Sequence, residues 1–195
     1  FVFLSMNAYF MQELILEPYA GLVWGFTPGQ STSLSGAQNG GVFIGMLTVG
    51  IAATGFKIGA LRMWVIMGCI GSALSLLAIA SAVLSLTPLV VALGFFNGMF
   101  AVAAIGSMMA LAAEGRGRRE GTRMGLWGAA QAIAAGFGGL TGAAAVDIMR
   151  GFQPDATAFG TVFAAEATLF IAAAVMALQI MENTPQQTAG MVPGE

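Results

Sequence analysis

In the stretch QELILEPYAGLVWG, Gln12 to Gly25, two carboxylates interrupt an apolar run, and their spacing limits what they can do. Glu13 and Glu17 are four residues apart, so on a helix they project from one face. Gln12 adds an amide beside them, and Glu166 is an isolated carboxyl near the middle of the last apolar run. Three roles are open to the pair. A desolvated carboxylate can take up and release a proton during transport, a role equally open to Glu166. Carboxylate and amide oxygens can bind a cation, give electron density to a magnesium, or accept hydrogen bonds from a ligand. Glu17 can instead serve structure, by bonding backbone donors freed near Pro18, which interrupts the helix.

The elements that carry these groups follow from composition. The chain has 195 residues, 57% hydrophobic and 8% charged, where a soluble domain would carry roughly 25% charged residues. Mean hydropathy is +0.84. Long apolar runs recur without the alternation of barrel strands, which indicates an all-α integral membrane protein. At about 20 apolar residues per span, helices are expected near 1–24, 36–56, 61–84, 88–113, 123–148 and 157–181. The segments FTPGQSTS, FKIGALR, SLTP, EGRGRREGTR and RGFQPDAT carry the glycine, proline, serine and charge of loops. Residues 183–195 read as a polar tail outside the membrane. The chain starts at Phe1 within an apolar run, so it reads as part of a longer polypeptide.

A charge at mid-bilayer costs at least ~2.5 kcal/mol, so Glu13, Glu17 and Glu166 are expected to face the bundle interior, carry protons or have partners. No Lys or Arg falls within any expected span. The candidate partners are Gln12, Asn39, Asn97, Gln131, water, a ligand or another half of the protein. Six of the seven basic residues lie in two loops, Lys57 and Arg62 in one and Arg116, Arg118, Arg119 and Arg123 in the other. By the positive-inside rule both loops are cytoplasmic, which puts both ends of the segment there as well. The arginine-rich loop can bind anionic lipid head groups or hold helix C-termini.

The 28 glycines are about twice the usual share of roughly 7%. Gly36 with Gly40, Gly41 with Gly45, Gly94 with Gly98, Gly121 with Gly125, and Gly138 with Gly142 have the spacing that lets helix backbones approach. Each pair can pack against a helix or present a flat face to a pigment or lipid. There is no histidine, the lone Cys69 suits packing, and no metal pair, nucleotide loop or nucleophile elbow occurs. Neither an enzyme nor a nucleic-acid binder is expected.

Two stretches, QELILEPYAGLVWGFTPGQSTSLSGAQNGGVFIGM and GTRMGLWGAAQAIAAGFGGLTG, resemble the PucC/LhaA family of photosynthetic bacteria. The LEPYxG element followed by GQST carries most of the likeness; Glu13 and Ala20 stand where aspartate and glycine are expected. The resemblance implies the second six-helix half of a major-facilitator-type fold. It implies a role in light-harvesting complex assembly, with bacteriochlorophyll as cargo and carotenoid or lipid as further ligands. Antenna α and β polypeptides, the reaction centre, membrane lipids and the protein's own N-terminal half are the implied partners. For a chlorin magnesium, Gln12, Glu13 and Glu17 are then the first candidates, and Asn39 and Gln131 the second. The small-residue faces of the first, second and fifth spans are the implied docking groove. A proton-coupled transporter of a small solute and a structural subunit of a reaction centre–antenna complex are the alternatives.

Overall fold

The computed structural model describes residues 2–56, 59–113 and 120–182. They form six long helices: α1 (Val2–Trp24), α2 (Pro28–Gly50), α3 (Leu61–Ser81), α4 (Leu86–Ala113), α5 (Glu120–Arg150) and α6 (Asp155–Glu182). No strand occurs among the described residues. Five of the helices are long and apolar enough to cross a membrane; α1, which carries Glu13 and Glu17, is not in that set. The protein is an all-α membrane protein.

The largest departure from expectation is the start of α2. FTPGQSTS reads as loop, yet the helix begins at Pro28, eight residues before the expected start at 36. The reason is local. Thr27 and Gln30 form a reciprocal capping box, and Pro28 occupies the first turn, where its missing N–H costs nothing. At the other end α2 leaves through a single π-helical turn, Ile51–Gly55, short of residue 56. Lys57, Arg116, Arg118, Arg119 and the 183–195 tail lie outside the described residues; Arg123 falls in α5.

Glycines set the closest helix contacts. Gly41 and Gly45 of α2 leave no room for a Cβ against Val91 and Phe95 of α4, and Gly94 and Gly98 of α4 do the same against Gln38 and Val42 of α2. The numbers rise together, so the two helices run parallel with their backbones in mutual contact. Gly138 and Gly142 of α5 bring a would-be Cβ to 2.7 Å from the Asn7 carbonyl oxygen and 3.0 Å from that of Met11, so α1 and α5 are parallel too. Gly68 and Gly71 meet Phe100 and Phe96 in reversed order, and α3 therefore runs against α4. A short turn closed by Arg150 and Asp155, 2.8 Å apart, reverses the chain into α6. The principal packing contacts order the helices α5, α1, α6, α3, α4, α2.

Tyr19 locks three of them. It is 1% exposed and packs on Phe159 and Phe163 of α6, while its hydroxyl donates to the Ile79 carbonyl at 3.0 Å. That carbonyl also accepts from the Ala82 N–H, where Ala82 at φ 51° ends α3 in the left-handed conformation. Tyr19→Phe keeps the ring and removes the hydroxyl. It is expected to cost about 1 kcal/mol, measured as a lower midpoint of thermal unfolding in detergent.

Candidate functional site, a polar cleft between the first two helices

α1 is held by α5 and α6, and α2 by α4, but the two touch each other only sparingly. They are joined by a tight turn in which Gly25 takes φ +67° and the Phe26 N–H bonds the Ala20 carbonyl. The helices diverge from this turn and leave a cavity of about 220 Å³. From α1 it is lined by Tyr9, Glu13, Leu16 and Glu17, at the spacing of one helical stripe. From α2 the lining is Ser35, Gln38, Asn39 and Val42, again one stripe.

Two carboxylates, two amides and two hydroxyls thus converge, with Leu16 and Val42 as the apolar walls. No basic side chain lines the space. Of the three outcomes expected for Glu13 and Glu17, burial among these six helices is not what the structure gives; both are exposed on the cleft. Such a set accepts hydrogen bonds and attracts cations. Its volume is below the roughly 300–1,000 Å³ of sites that enclose a drug-sized ligand. It can take the polar edge of a large flat molecule or a small cation, not a whole macrocycle.

The structure separates the sequence candidates. Glu13, Glu17 and Asn39 come together in the cleft. Gln12 does not: it is fully buried, on the side of α1 turned away from the cavity, because one residue along a helix rotates the side chain by about 100°. Gln131 does not line it either. It precedes Gly142, the residue level with Met11, by eleven positions, or about 16 Å along α5. Glu166 is buried in α6, away from this surface. Of the glycines assigned to a docking face, Gly41, Gly45, Gly138 and Gly142 are taken up by neighbouring helices, and only Gly36 and Gly40 have open space above them. The groove expected from the small-residue faces of three spans is therefore filled along much of α2 and α5.

Sequence reasoning missed Tyr9, Ser35 and Gln38. Tyr9 precedes Glu13 by one turn, a spacing that could have found it. Ser35 was hidden by the late expected start of α2.

Several passes of apolar helix and a polar cleft on one flank define a multi-pass membrane protein of the all-α class. The chain belongs to the PUCC protein family, whose profile matches residues 1–184. It is 69% identical over 185 residues to the "Bacteriochlorophyll synthase 44.5 kDa chain" of Rhodobacter capsulatus, covering 93% of this chain and 43% of that protein. It is 30% identical over 187 residues to "Protein PucC" of Cereibacter sphaeroides, covering 89% of this chain and 39% of the relative. An uncharacterized protein from the puhA-bchM intergenic region of Rhodobacter capsulatus is 30% identical over 159 residues, 76% of this chain and 31% of that protein. The chain spans less than half the length of these relatives. No solved structure matches it.

Proposed function

We propose that the protein serves assembly of bacterial light-harvesting complexes, holding bacteriochlorophyll and presenting it to antenna α and β polypeptides in the cytoplasmic or intracytoplasmic membrane. The observation that carries this reading is the convergence of Glu13, Glu17 and Asn39 in a cleft of a PUCC-family chain. The names of two relatives point the same way, one to bacteriochlorophyll synthesis and one to PucC itself. In this reading the cleft grips a polar edge of the pigment, or its magnesium through an oxygen or a bridging water, while the macrocycle lies along the open face of Gly36 and Gly40. The contact is weak, because a carrier must release what it holds. Its work is holding and presentation, not catalysis. The chain would form one half of a major-facilitator-type bundle, with both ends cytoplasmic. The other half, carotenoid or lipid, and the reaction centre complete the proposed set of contacts.

The test is a mild-detergent affinity purification of the full-length protein from photosynthetic membranes, with near-infrared absorption and identification of the polypeptides retained. Chemically unaltered bacteriochlorophyll together with antenna chains is the expected result. A colourless protein without antenna partners would overturn the reading. Steeply pH-dependent solute flux in proteoliposomes would replace it with a proton-coupled transporter. Stoichiometric retention in mature complexes would make it a structural subunit.

A further inference from the structure

Glu166 is fully buried in α6, and neither of its carboxyl oxygens has a hydrogen-bond partner. Gln12 of α1 is in the same condition, with both amide atoms buried and unpaired. Helix register places them at one depth on facing sides of α1 and α6, although as placed they do not bond each other. Because α5 is parallel to α1 and turns back into α6, α1 and α6 run antiparallel. Their level is fixed where Tyr19 packs on Phe159 and Phe163 at centroid distances of 5.4 and 5.1 Å. From there, seven residues back to Gln12 and five forward to Glu166 descend about 10.5 and 7.5 Å in the same direction. The two side chains lie within about 3 Å of one depth. Seven residues return a helix nearly to the same face, so Gln12 shares the α6-facing side of α1 with Tyr19, and Glu166 shares the side of Phe159.

A third group reaches the same layer. Tyr19 bonds the Ile79 carbonyl of α3, and Ser72 lies seven residues back from Ile79. The Ser72 hydroxyl donates to Asn97 Oδ1 of α4 at 2.8 Å, leaving the Asn97 amide nitrogen buried and unpaired. The titratable groups on the elements around Glu166 supply no cation at this depth. α1 offers Tyr19 on the inner side and Tyr9, Glu13 and Glu17 toward the cleft, and α3 offers Cys69, with Arg62 at its first turn. The Asp147 and Arg150 of α5 and the Asp155 of α6 sit at the opposite end, by the turn between those helices.

An ionised carboxylate there would have neither water nor a counter-charge, whereas a neutral acid offers one donor and one acceptor, the complement of a primary amide. We propose that Glu166 keeps its proton inside the bundle and, by a change of side-chain rotamer from the unbonded arrangement above, pairs with Gln12, its O–H donating to Oε1 and the amide Nε2–H donating to the carboxyl oxygen. Through that pair Glu166 is a positioning residue: it fixes the rotation of α1 about its axis and so points Glu13 and Glu17 into the cleft. The positioning role rests on the cleft reading above; the pairing does not.

The test is infrared spectroscopy of the full-length protein in liposomes, with bulk solution near pH 8, well above the ~4.3 of a free glutamic acid. The carbonyl stretch of a protonated carboxyl is expected, absent in Glu166→Gln and moved to higher frequency in Gln12→Leu, where the acceptor is gone. Absence of that band in the wild type, or a band indifferent to Gln12→Leu, overturns the pairing. Positioning is read by alkylation of Glu13→Cys with a water-soluble maleimide in a Cys69→Ala background. Glu166→Ala and Gln12→Leu should each change the rate several-fold, and Glu166→Gln should restore it. Unchanged rates overturn the positioning role and leave the pairing standing. Failure of the wild type to hold pigment would overturn the cleft reading without touching the infrared result.

Discussion

Replacing Glu13 and Glu17 together with alanine is expected to weaken retention of bacteriochlorophyll on the order of 100-fold, while the helices still form. Each carboxylate can make a hydrogen bond or ligand contact worth about 1.5–3 kcal/mol when one partner is charged, and 1.4 kcal/mol is tenfold in affinity. Both side chains are exposed on the cleft, so their removal leaves no cavity in the core. Pigment per protein, measured after purification from pigment-making cells, checks this, with antenna yield as the second readout. Glu13→Gln with Glu17→Gln separates the mechanisms. Amide oxygens still accept hydrogen bonds and could still approach a magnesium, so a pigment carrier should keep most of its cargo. A proton-coupled transporter would lose coupling. Pigment retention unchanged by the double alanine variant would remove the cleft from the mechanism.

Gly45→Leu should have the largest effect on folding. A Cβ at Gly45 would collide with the carbonyl oxygen of Phe95, and that atom belongs to a helix backbone with no means of moving aside alone. Separating α2 from α4 enough to admit leucine forfeits the contact along their whole length. The expected cost is about 3 kcal/mol or more, a large part of the 5–15 kcal/mol that stabilises a typical protein. Membrane abundance should fall several-fold, as quantified by immunoblot. Gly40→Ala is the matching control, since nothing stands within 4 Å of its would-be Cβ. It should be stable, within about 0.5 kcal/mol of the wild type. If the open face holds pigment, Gly40→Ala loses cargo without losing protein.

The contrast between these neighbouring glycines shows where the sequence stops being sufficient. Spacing of four marks Gly36 and Gly40 in the same way as Gly41 and Gly45, yet one pair faces open space and the other a helix. The pairs are offset by five residues, about 140° of rotation, and which of them is covered is decided by which helix lies alongside. The same ambiguity misplaced Gln12, which adjoins Glu13 in sequence but is turned about 100° round α1, off the cleft and into the bundle. Helix number and class were legible, because a bilayer demands long apolar runs with every backbone group paired. Glu13, Glu17 and Asn39 were legible too, as polar groups in expensive surroundings. Tyr9 and Ser35 were harder to see, being unremarkable near helix ends and costly only once the cleft is known. The start of α2 was obscured by glycine, proline and serine, residues that break helices in the interior and cap them at the first turn.

The order of helix contacts has a mechanical consequence. The walls of the cleft belong to different groups of helices, α1 with α5, and α2 with α4, α3 and α6. The two groups are joined mainly where α1 lies on α6, and by the turn at Gly25. The walls are therefore the jaws of a pair of tongs whose pivot is the α1–α6 seam. A guest that spreads the jaws would do work against the packing of Tyr19 on Phe159 and Phe163, on the side of α1 turned from the carboxylates. In the proposed role, the pivot and not the cleft lining alone would set how tightly a pigment is held.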